Sequence, residues 1–353
     1  MDTITPSSLN RILLIRLSSI GDIVLTTPVL RTLHKKYPDL KIDFLIKEQF
    51  RDLIAYHPAV DNTITIPSDF SFRDLLNFRR DVQYSGKFDA IVDLHDNLRS
   101  QVLTFRSKIP YTRYDKQRFY RWLYVYWKIR TPAVEKYITE RYFEAVEPFG
   151  VEDDGEGLDF CFPENFGFSD PGIANEVDAF RRADNPVTVA PGAAWATKKW
   201  PPERFGNVIQ QLITNYNATV ALLGGPAETD LAEQVISHVS ESHRVFNFIG
   251  KTTLLESAKI IQHADLHLAN DSGMTHIATA FRNKVLLILG STAMPIVFYP
   301  KYTQFETVAD TNLSCRPCTH MGRKRCPLGH FRCMKNIDES QVLDAYSRLT
   351  GEA

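Results

Sequence analysis

Short apolar runs alternate with longer stretches in which apolar residues recur every three or four positions. In the first half the strand candidates are Arg11–Ile15, Lys41–Ile46, Asn62–Ile66 and Phe88–Leu94, with helix-length segments such as Pro28–Tyr37 and Phe72–Tyr84 between them. The first and fourth runs are largely apolar, as parallel strands covered on both faces require. Alternation of this kind predicts βαβ units and a parallel sheet.

A second series starts after Pro186. Its expected strands are Val187–Ala190, Ala218–Leu223, Val245–Ile249, Asp265–Ala269 and Val285–Leu289. Helices are expected at Pro202–Tyr216, Glu228–Val239, Leu254–His263 and Met274–Phe281, with a last one over Glu339–Leu349. The stretch from Val151 to Asn185 is acidic and rich in Gly, Pro, Asp and Asn, and reads as the connection between domains. The expected division is 1–170, 171–335 and a terminal helical piece, 336–353, that could pack back on the first domain. Two doubly wound sheets place ligands beyond the strand C-terminal ends, near helix N-termini, and a cleft between facing domains is the default site.

The length of 353 residues agrees with two cores rather than one. A formal net charge of -1 means that any anionic partner must be met by a local basic patch. The apolar core Ile12 to Ile15 is too short for a secretory leader, and no run approaches the roughly 18 apolar residues of a membrane span. A cytoplasmic protein is expected, with peripheral membrane contact open. Four of the five cysteines fall between Cys315 and Cys333, unlike a secreted disulfide scaffold.

Candidate chemistry lies at the predicted strand ends. After the first strand, Leu17-Ser18-Ser19-Ile20-Gly21-Asp22 holds a single glycine and is no dinucleotide fingerprint. Asp22 there could take a proton from an attacking hydroxyl, or it could simply cap a helix. Thr27 before Pro28 is also a good helix start. In the second half, Gly192 is followed by Lys198 and Lys199. The pair is either a phosphate grip or a solvated surface pair. In Asn270-Asp271-Ser272-Gly273-Met274-Thr275-His276, the amides of Ser272, Gly273 and Met274 could meet a pyrophosphate. Asp271 suits sugar hydroxyls, or serves as a helix cap, and His276 is one turn on. Glu228, beyond Gly224-Gly225-Pro226, could hold a ribose or start a helix.

Residues 106–130 hold eight Lys or Arg and one acid, interleaved with aromatic residues. Such a surface suits an anionic glycolipid at a membrane face or a nucleic acid, unless the rings pack inward. Cys315, Cys318, Cys326 and Cys333, with His320 and His330, could form a zinc site, but beyond the one Cys-x2-Cys pair they lack the compact spacing of a zinc ribbon. Reduced cysteines lining an ordered loop are the expected state.

These segments together resemble glycosyltransferase family nine, the bacterial heptosyltransferases. The matching stretches are ILLIRLSSIGDIVLTTPVLRTLHKKYP, PGAAWATKKWPPERF, LLGGPAE, ADLHLANDSGMTHIATA and CRPCTHMGRKRCPLGHFRCM, in the family's order along both halves. The resemblance implies an α/β GT-B fold, two Rossmann-like domains facing across a central cleft. The first would bind acceptor and the second the nucleotide sugar. It implies inverting transfer of heptose from ADP-heptose to the inner core of a lipopolysaccharide precursor at the inner membrane's cytoplasmic face. By the same resemblance Asp22 is the general base and Lys198 meets the donor phosphates with Ser272, Gly273 and Met274. Asp271 contacts donor sugar, and His276 belongs to the motif. The stretch from Gly192 to Lys198 is a residue or two short of the family pattern, which leaves Thr197 as the available phosphate-contacting hydroxyl. Arg113, Arg118 and Arg121 are the expected acceptor contacts. With both phosphate devices in the protein, neither a metal nor another cofactor is expected. The cysteine segment leans towards the second heptosyltransferase type. The rivals are another donor or a protein acceptor on the same fold, and a nucleic-acid-binding module without catalysis.

Overall fold

The computed structural model describes residues 9–294 and 296–351. Residues 1–8, the start of the segment weighed above as a leader, lie outside the described residues. In chain order the elements begin β1 (Arg11–Ile15), α1 (Ile20–Val24), α2 (Thr27–Lys36), β2 (Lys41–Lys47), β3 (Asn62–Ile66), α3 (Phe72–Tyr84) and β4 (Ala90–Asp93). They continue with α4 (Leu98–Thr104), β5 (Tyr111–Arg113), α5 (Arg118–Trp127), α6 (Pro132–Glu135), α7 (Ile138–Ala145) and α8 (Pro171–Arg181). The second series is β6 (Pro186–Ala190), α9 (Pro202–Tyr216), β7 (Thr219–Leu222), α10 (Thr229–Ile236), β8 (Val245–Asn247), α11 (Leu254–Gln262), β9 (Leu266–Asn270) and α12 (Met274–Ala280). It ends with β10 (Lys284–Ile288), β11 (Phe305–Val308), α13 (Arg332–Lys335) and α14 (Glu339–Thr350).

Two compact units result, each built on one parallel sheet. The first sheet has the order β3-β2-β1-β4-β5 and the second β11-β10-β9-β6-β7-β8. Both are doubly wound, the arrangement of the GT-B class. In each the strand order reverses beside the first strand of the series, between β1 and β4 and between β6 and β9. Neighbouring loops diverge at such a reversal and leave a crevice. The central strands β1, β4, β6 and β9 are almost wholly buried, which is why their sequences read as unbroken apolar runs.

The structure corrects several boundaries. Edge strands β5 and β11 are short and partly exposed, so they lack the apolar run that marks the central strands. The acidic stretch is more than a connector. Asp154 pairs with Arg31 of α2 at 2.6 Å, Asp159 pairs with the same guanidinium, and Pro171–Arg181 forms a helix. The cap of α2 is Thr26, which places Thr27 and Pro28 inside the helix. The first unit runs to Arg118 and resumes over Lys136–Pro163, while Phe119–Glu135 belongs to the second. There Tyr124, Val125 and Val134 pack with Ile296, and the Tyr124 hydroxyl donates to the Met294 carbonyl at 2.8 Å. The terminal helix α14 belongs to the second unit. Its apolar face, Val342, Ala345 and Tyr346, fills the core of the second unit against α9, β10 and β11. Among the described residues no helix is long and apolar enough to cross a membrane.

Candidate active site

At the reversal of the first sheet, Arg16 leaves the end of β1 and turns inward. Its side chain is 5% exposed. Nε donates to the Ser18 carbonyl at 2.9 Å, another nitrogen donates to the Leu94 carbonyl, and the third stands 2.6 Å from Asp22 Oδ1. The rings of Tyr114 and Tyr142 flank the guanidinium at 5.9 and 5.7 Å. Burial opposes its charge, but Asp22, Tyr142 and Tyr114 outweigh that cost and raise its pKa further. Asp22 is the third residue of α1, where its Oδ2 accepts from the Ser19 hydroxyl at 2.6 Å and the Ser19 amide at 3.1 Å. The cap and base readings are therefore not exclusive. One oxygen closes the helix start, and the other is held by a buried cation.

Two residues that the sequence reading passed over share this end of the sheet. His95 follows β4 and is buried, with no hydrogen-bond partner for Nδ1. Burial, then Arg16 and Lys116, lower its pKa to about 2, so its ring is neutral. Burial followed by Arg16 lowers the Lys116 pKa to about 8, against the pull of Asp96. Arg16, His95 and Lys116 sit in glycine-free turns; the signal that finds them is position, directly after strands β1, β4 and β5.

The expected acceptor arginines separate. Arg113 donates to Asp93 at 2.8 Å and to the Thr104 hydroxyl, so it ties the sheet edge together. Arg118 pairs with Asp96 at 3.0 Å and stays 61% exposed. Arg121 lies in the second unit, 5.9 Å from the Phe298 ring centroid. Of the interleaved aromatics, Tyr114 and Tyr124 pack inward, while Phe119, Trp122, Tyr126 and Trp127 are exposed on α5.

At the reversal of the second sheet, the loop after β6 carries Lys198 and the loop after β9 carries Asp271. Lys198 Nζ stands 2.6 Å from Asp271 Oδ2, which also accepts from the Thr292 hydroxyl at 3.1 Å. Both side chains are nearly buried, at 13% and 14% exposure, whereas Lys199 is exposed. Lys198 is thus no solvated surface lysine, and Asp271 is no cap, since α12 begins after Gly273. The Ser272 hydroxyl is buried without a partner. Gly273 and Met274 open α12, and His276 is buried within it. Glu228 lies against the ends of β6 and β7. A Cβ at Gly192 would come within 1.8 Å of its carboxylate, and one at Gly224 within 2.6 Å. Its Oε2 accepts from the Gly225 amide at 3.0 Å.

Thr197 does not keep its expected role. Its buried hydroxyl donates to the Arg323 carbonyl at 3.2 Å and accepts from the Arg323 amide at 2.8 Å and the Ser291 hydroxyl at 2.9 Å. No lone pair or proton is left for a phosphate. Ser291 and Thr292, which follow Gly290 just past β10, were not singled out in the sequence, where no charged residue stands beside them. The segment holding Cys315, Cys318, Cys326 and Cys333 braces this loop, and its cysteines are free thiols.

Chemically, the first unit offers a carboxylate beside a fixed cation and a neutral imidazole. The second offers a cation, a helix start and two carboxylates at the place where α/β sheets hold phosphates.

Comparison with known proteins agrees with this layout. Residues 77–328 match the family model "Glycosyltransferase family 9 (heptosyltransferase)". Lipopolysaccharide heptosyltransferase 3 of Escherichia coli (strain K12) is 27% identical over 294 residues, covering 80% of this chain and 83% of that one. The structure of a family 9 glycosyl transferase from Veillonella parvula superposes with a TM-score of 0.76 at 22% identity, covering 98% of each chain. That of E. coli ADP-heptose lps heptosyltransferase II superposes with a TM-score of 0.67 at 19% identity, over 97% of this chain and 100% of that one. Likeness to a third type in sequence and to a second in structure gives the cysteine segment no power to assign a type. With the family model spanning most of its length, the chain belongs to glycosyltransferase family 9, the heptosyltransferases.

Proposed function

We propose that this glycosyltransferase transfers heptose from ADP-heptose to the inner core of a lipopolysaccharide precursor by one inverting displacement. The observation that carries the reading is the Lys198–Asp271 contact of 2.6 Å at the reversal of the second sheet. A nearly buried lysine with a single carboxylate partner is a diphosphate site in waiting. When the donor enters, Lys198 turns to the diphosphate, and Asp271 is released to accept hydrogen bonds from the sugar hydroxyls. Ser272 and the amides that open α12 take further phosphate oxygens, and Glu228 suits the ribose hydroxyls.

Asp22 accepts the proton of the acceptor hydroxyl as that oxygen bonds to the anomeric carbon. The bond from that carbon to the phosphate oxygen breaks, and ADP leaves with the electron pair. Lys198 and the helix start stabilise the charge that develops on it. Attack opposite the leaving group inverts the configuration. Arg16 holds the Asp22 carboxylate in place before the transfer, so the base is oriented. Lys116 and Arg118 suit the anionic groups of the acceptor. The lipopolysaccharide assignment draws on the named relative.

Helix α5 supports a peripheral place on the cytoplasmic face of the inner membrane. Phe119, Trp122 and Tyr126 form an exposed aromatic row, with Phe119 stacked on Trp122 at 6.3 Å, and Arg118 and Lys128 lie near it in sequence. Aromatic rings and cationic heads together favour an anionic lipid surface.

Calorimetric titration with ADP, UDP and GDP, followed by turnover of ADP-heptose on heptose-deficient lipopolysaccharide, tests the reading. Selective ADP binding and turnover are expected. A preference for UDP or GDP would discard ADP-heptose while leaving the family intact.

A further inference from the structure

Irregular sequence spacing hides a cluster that the fold assembles. Cys315, Cys318, Cys326 and Cys333 line one pocket in the second unit, together with His330 and Thr197. Cys333 comes from the start of α13 and belongs to the hydrophobic core, while the other three come from the preceding loop.

We propose that these four cysteines form a tetrathiolate site for a thiophilic divalent ion, zinc or ferrous iron, which locks the loop carrying Lys198. Four sulfur ligands suit a tetrahedral ion of this class. Binding takes one ion and releases four protons, one from each thiol, which leaves the site with two negative charges. The surroundings answer that charge. Residues 314–335 include six Lys or Arg and no acid, and Lys128 Nζ donates to the carbonyl of Pro317, which lies between Cys315 and Cys318 in the chain, at 2.5 Å.

His330 fits the second shell rather than the ligand set. Its Nδ1 accepts from the Arg332 amide at 3.0 Å, so the neutral ring carries its proton on Nε2. Nε2 stands 3.8 Å from Cys315 Sγ and can donate to it, as outer partners of metal ligands do. His320 is exposed and is not part of the pocket lining. In the present side-chain arrangement no three His, Cys, Asp or Glu side chains of the described residues stand together as metal ligands. Rotation of the three loop cysteines about their side-chain bonds is the movement that binding requires.

What the ion would hold is visible in the contacts of the same loop. The Cys318 amide donates to the Ser291 carbonyl at 3.1 Å, and Arg323 donates to the Cys318 carbonyl at 3.1 and 3.2 Å. Arg323 in turn pins Thr197, the residue before Lys198. Gly322 lies so close under Trp195 that a Cβ there would meet the indole at 2.5 Å. The cysteine loop and the Lys198 loop are thus one packed unit.

The test is elemental analysis of the full chain, purified without chelator or metal affinity and dialysed exhaustively. About one equivalent of zinc or iron per chain is expected, and the element found separates the two ions. Cobalt loaded in its place should give the intense visible and near-ultraviolet bands of tetrahedral thiolate coordination. The double variant Cys315→Ser, Cys318→Ser should lose the metal and the bands, and Cys161→Ser should keep both. Because the wild-type chain is read directly, failure of a variant to fold leaves the test intact. Metal-free protein that also rejects cobalt would overturn the proposal, and so would a chain whose mass shows the cysteines joined as disulfides. None of these readouts depends on transfer activity or on the donor.

Discussion

Lys198 and Asp271 meet at 2.6 Å, although 73 residues separate them in the chain (271 − 198) and each leaves a different strand of the second sheet. The contact exists because β6 and β9 are neighbours at the point where the strand order reverses, so the loops after them open over one crevice. Each side chain is the other's counter-ion until a ligand offers something better. That mutual dependence gives the pair opposite expected responses to substitution.

Lys198→Ala should weaken ADP binding about tenfold and lower kcat/KM about 100- to 1,000-fold, because it removes the cation that meets the leaving diphosphate. Asp271→Ala should leave ADP affinity unchanged or raise it, since the carboxylate no longer competes for Lys198, while turnover of the nucleotide sugar falls. Calorimetry with ADP on both variants checks this. If Asp271→Ala weakened ADP as much as Lys198→Ala, the two residues would not be exchanging partners.

Asp22→Asn should lower kcat by about two to four orders of magnitude while leaving ADP affinity within about twofold. It should also destabilise the first unit by about 1–3 kcal/mol, because buried Arg16 then keeps only a neutral partner. Steady-state kinetics beside a chemical denaturation curve separates the two effects. A residue serving only as the cap of α1 would show the stability loss without the collapse of turnover.

Glu228 and Gly192 make a linked pair. Gly192→Ala would put a methyl group 1.8 Å from the present position of a Glu228 carboxylate oxygen. That oxygen ends a flexible side chain, so it should move aside at little cost in stability. The expected result is that Gly192→Ala and Glu228→Ala weaken nucleotide binding to a similar extent, and that the double variant is no worse than either single one. Additive losses would show that Gly192 acts through something other than Glu228.

A strand buried on both faces was legible in the sequence because its apolar run is continuous, as in Arg11–Ile15, and the edge strand Asn62–Ile66 was legible from its alternation of isoleucine with polar residues; the structure reproduces the bounds of both. Edge strands β5 and β11 were not legible, since half-exposed short strands leave little pattern. In the candidate site the sequence pointed to charged residues in the glycine-bearing segments that follow strands, and Asp22, Lys198, Asp271 and Glu228 lie in the segments after β1, β6, β9 and β7. Thr197 shows the limit. A threonine beside a lysine after a glycine turn suits a phosphate, and only the distant Arg323 and Ser291 reveal that its hydroxyl is already used. His95 was silent for the same reason: nothing local says that Arg16, Lys116 and Asp22 converge on it.

Two buried histidines predict how the protein responds to acid. His95 is lowered to about 2 by burial and then by Arg16 and Lys116, and His267 to about 3 by burial. In the unfolded chain a histidine titrates near 6.5. Below about pH 6.5 the unfolded state therefore binds a proton that the folded state refuses, so stability falls as pH falls. Each ring costs about 1.4 kcal/mol per pH unit, from roughly 6.5 down to its folded pKa. At pH 4.5 each would have removed about 2.7 kcal/mol. His267 is fully buried on β9, with Nδ1 3.0 Å from the Thr188 hydroxyl, so His267→Asn offers that hydroxyl an amide that does not titrate. Urea unfolding of wild type, His95→Asn and His267→Asn at pH 7 and pH 5 is the check. Each variant should lose about 2 kcal/mol less than wild type between those two values, His95→Asn in the first unit and His267→Asn in the second. An unchanged difference between the two pH values would mean that the ring accepts its proton in the folded protein, and that the surrounding charges do not hold it neutral.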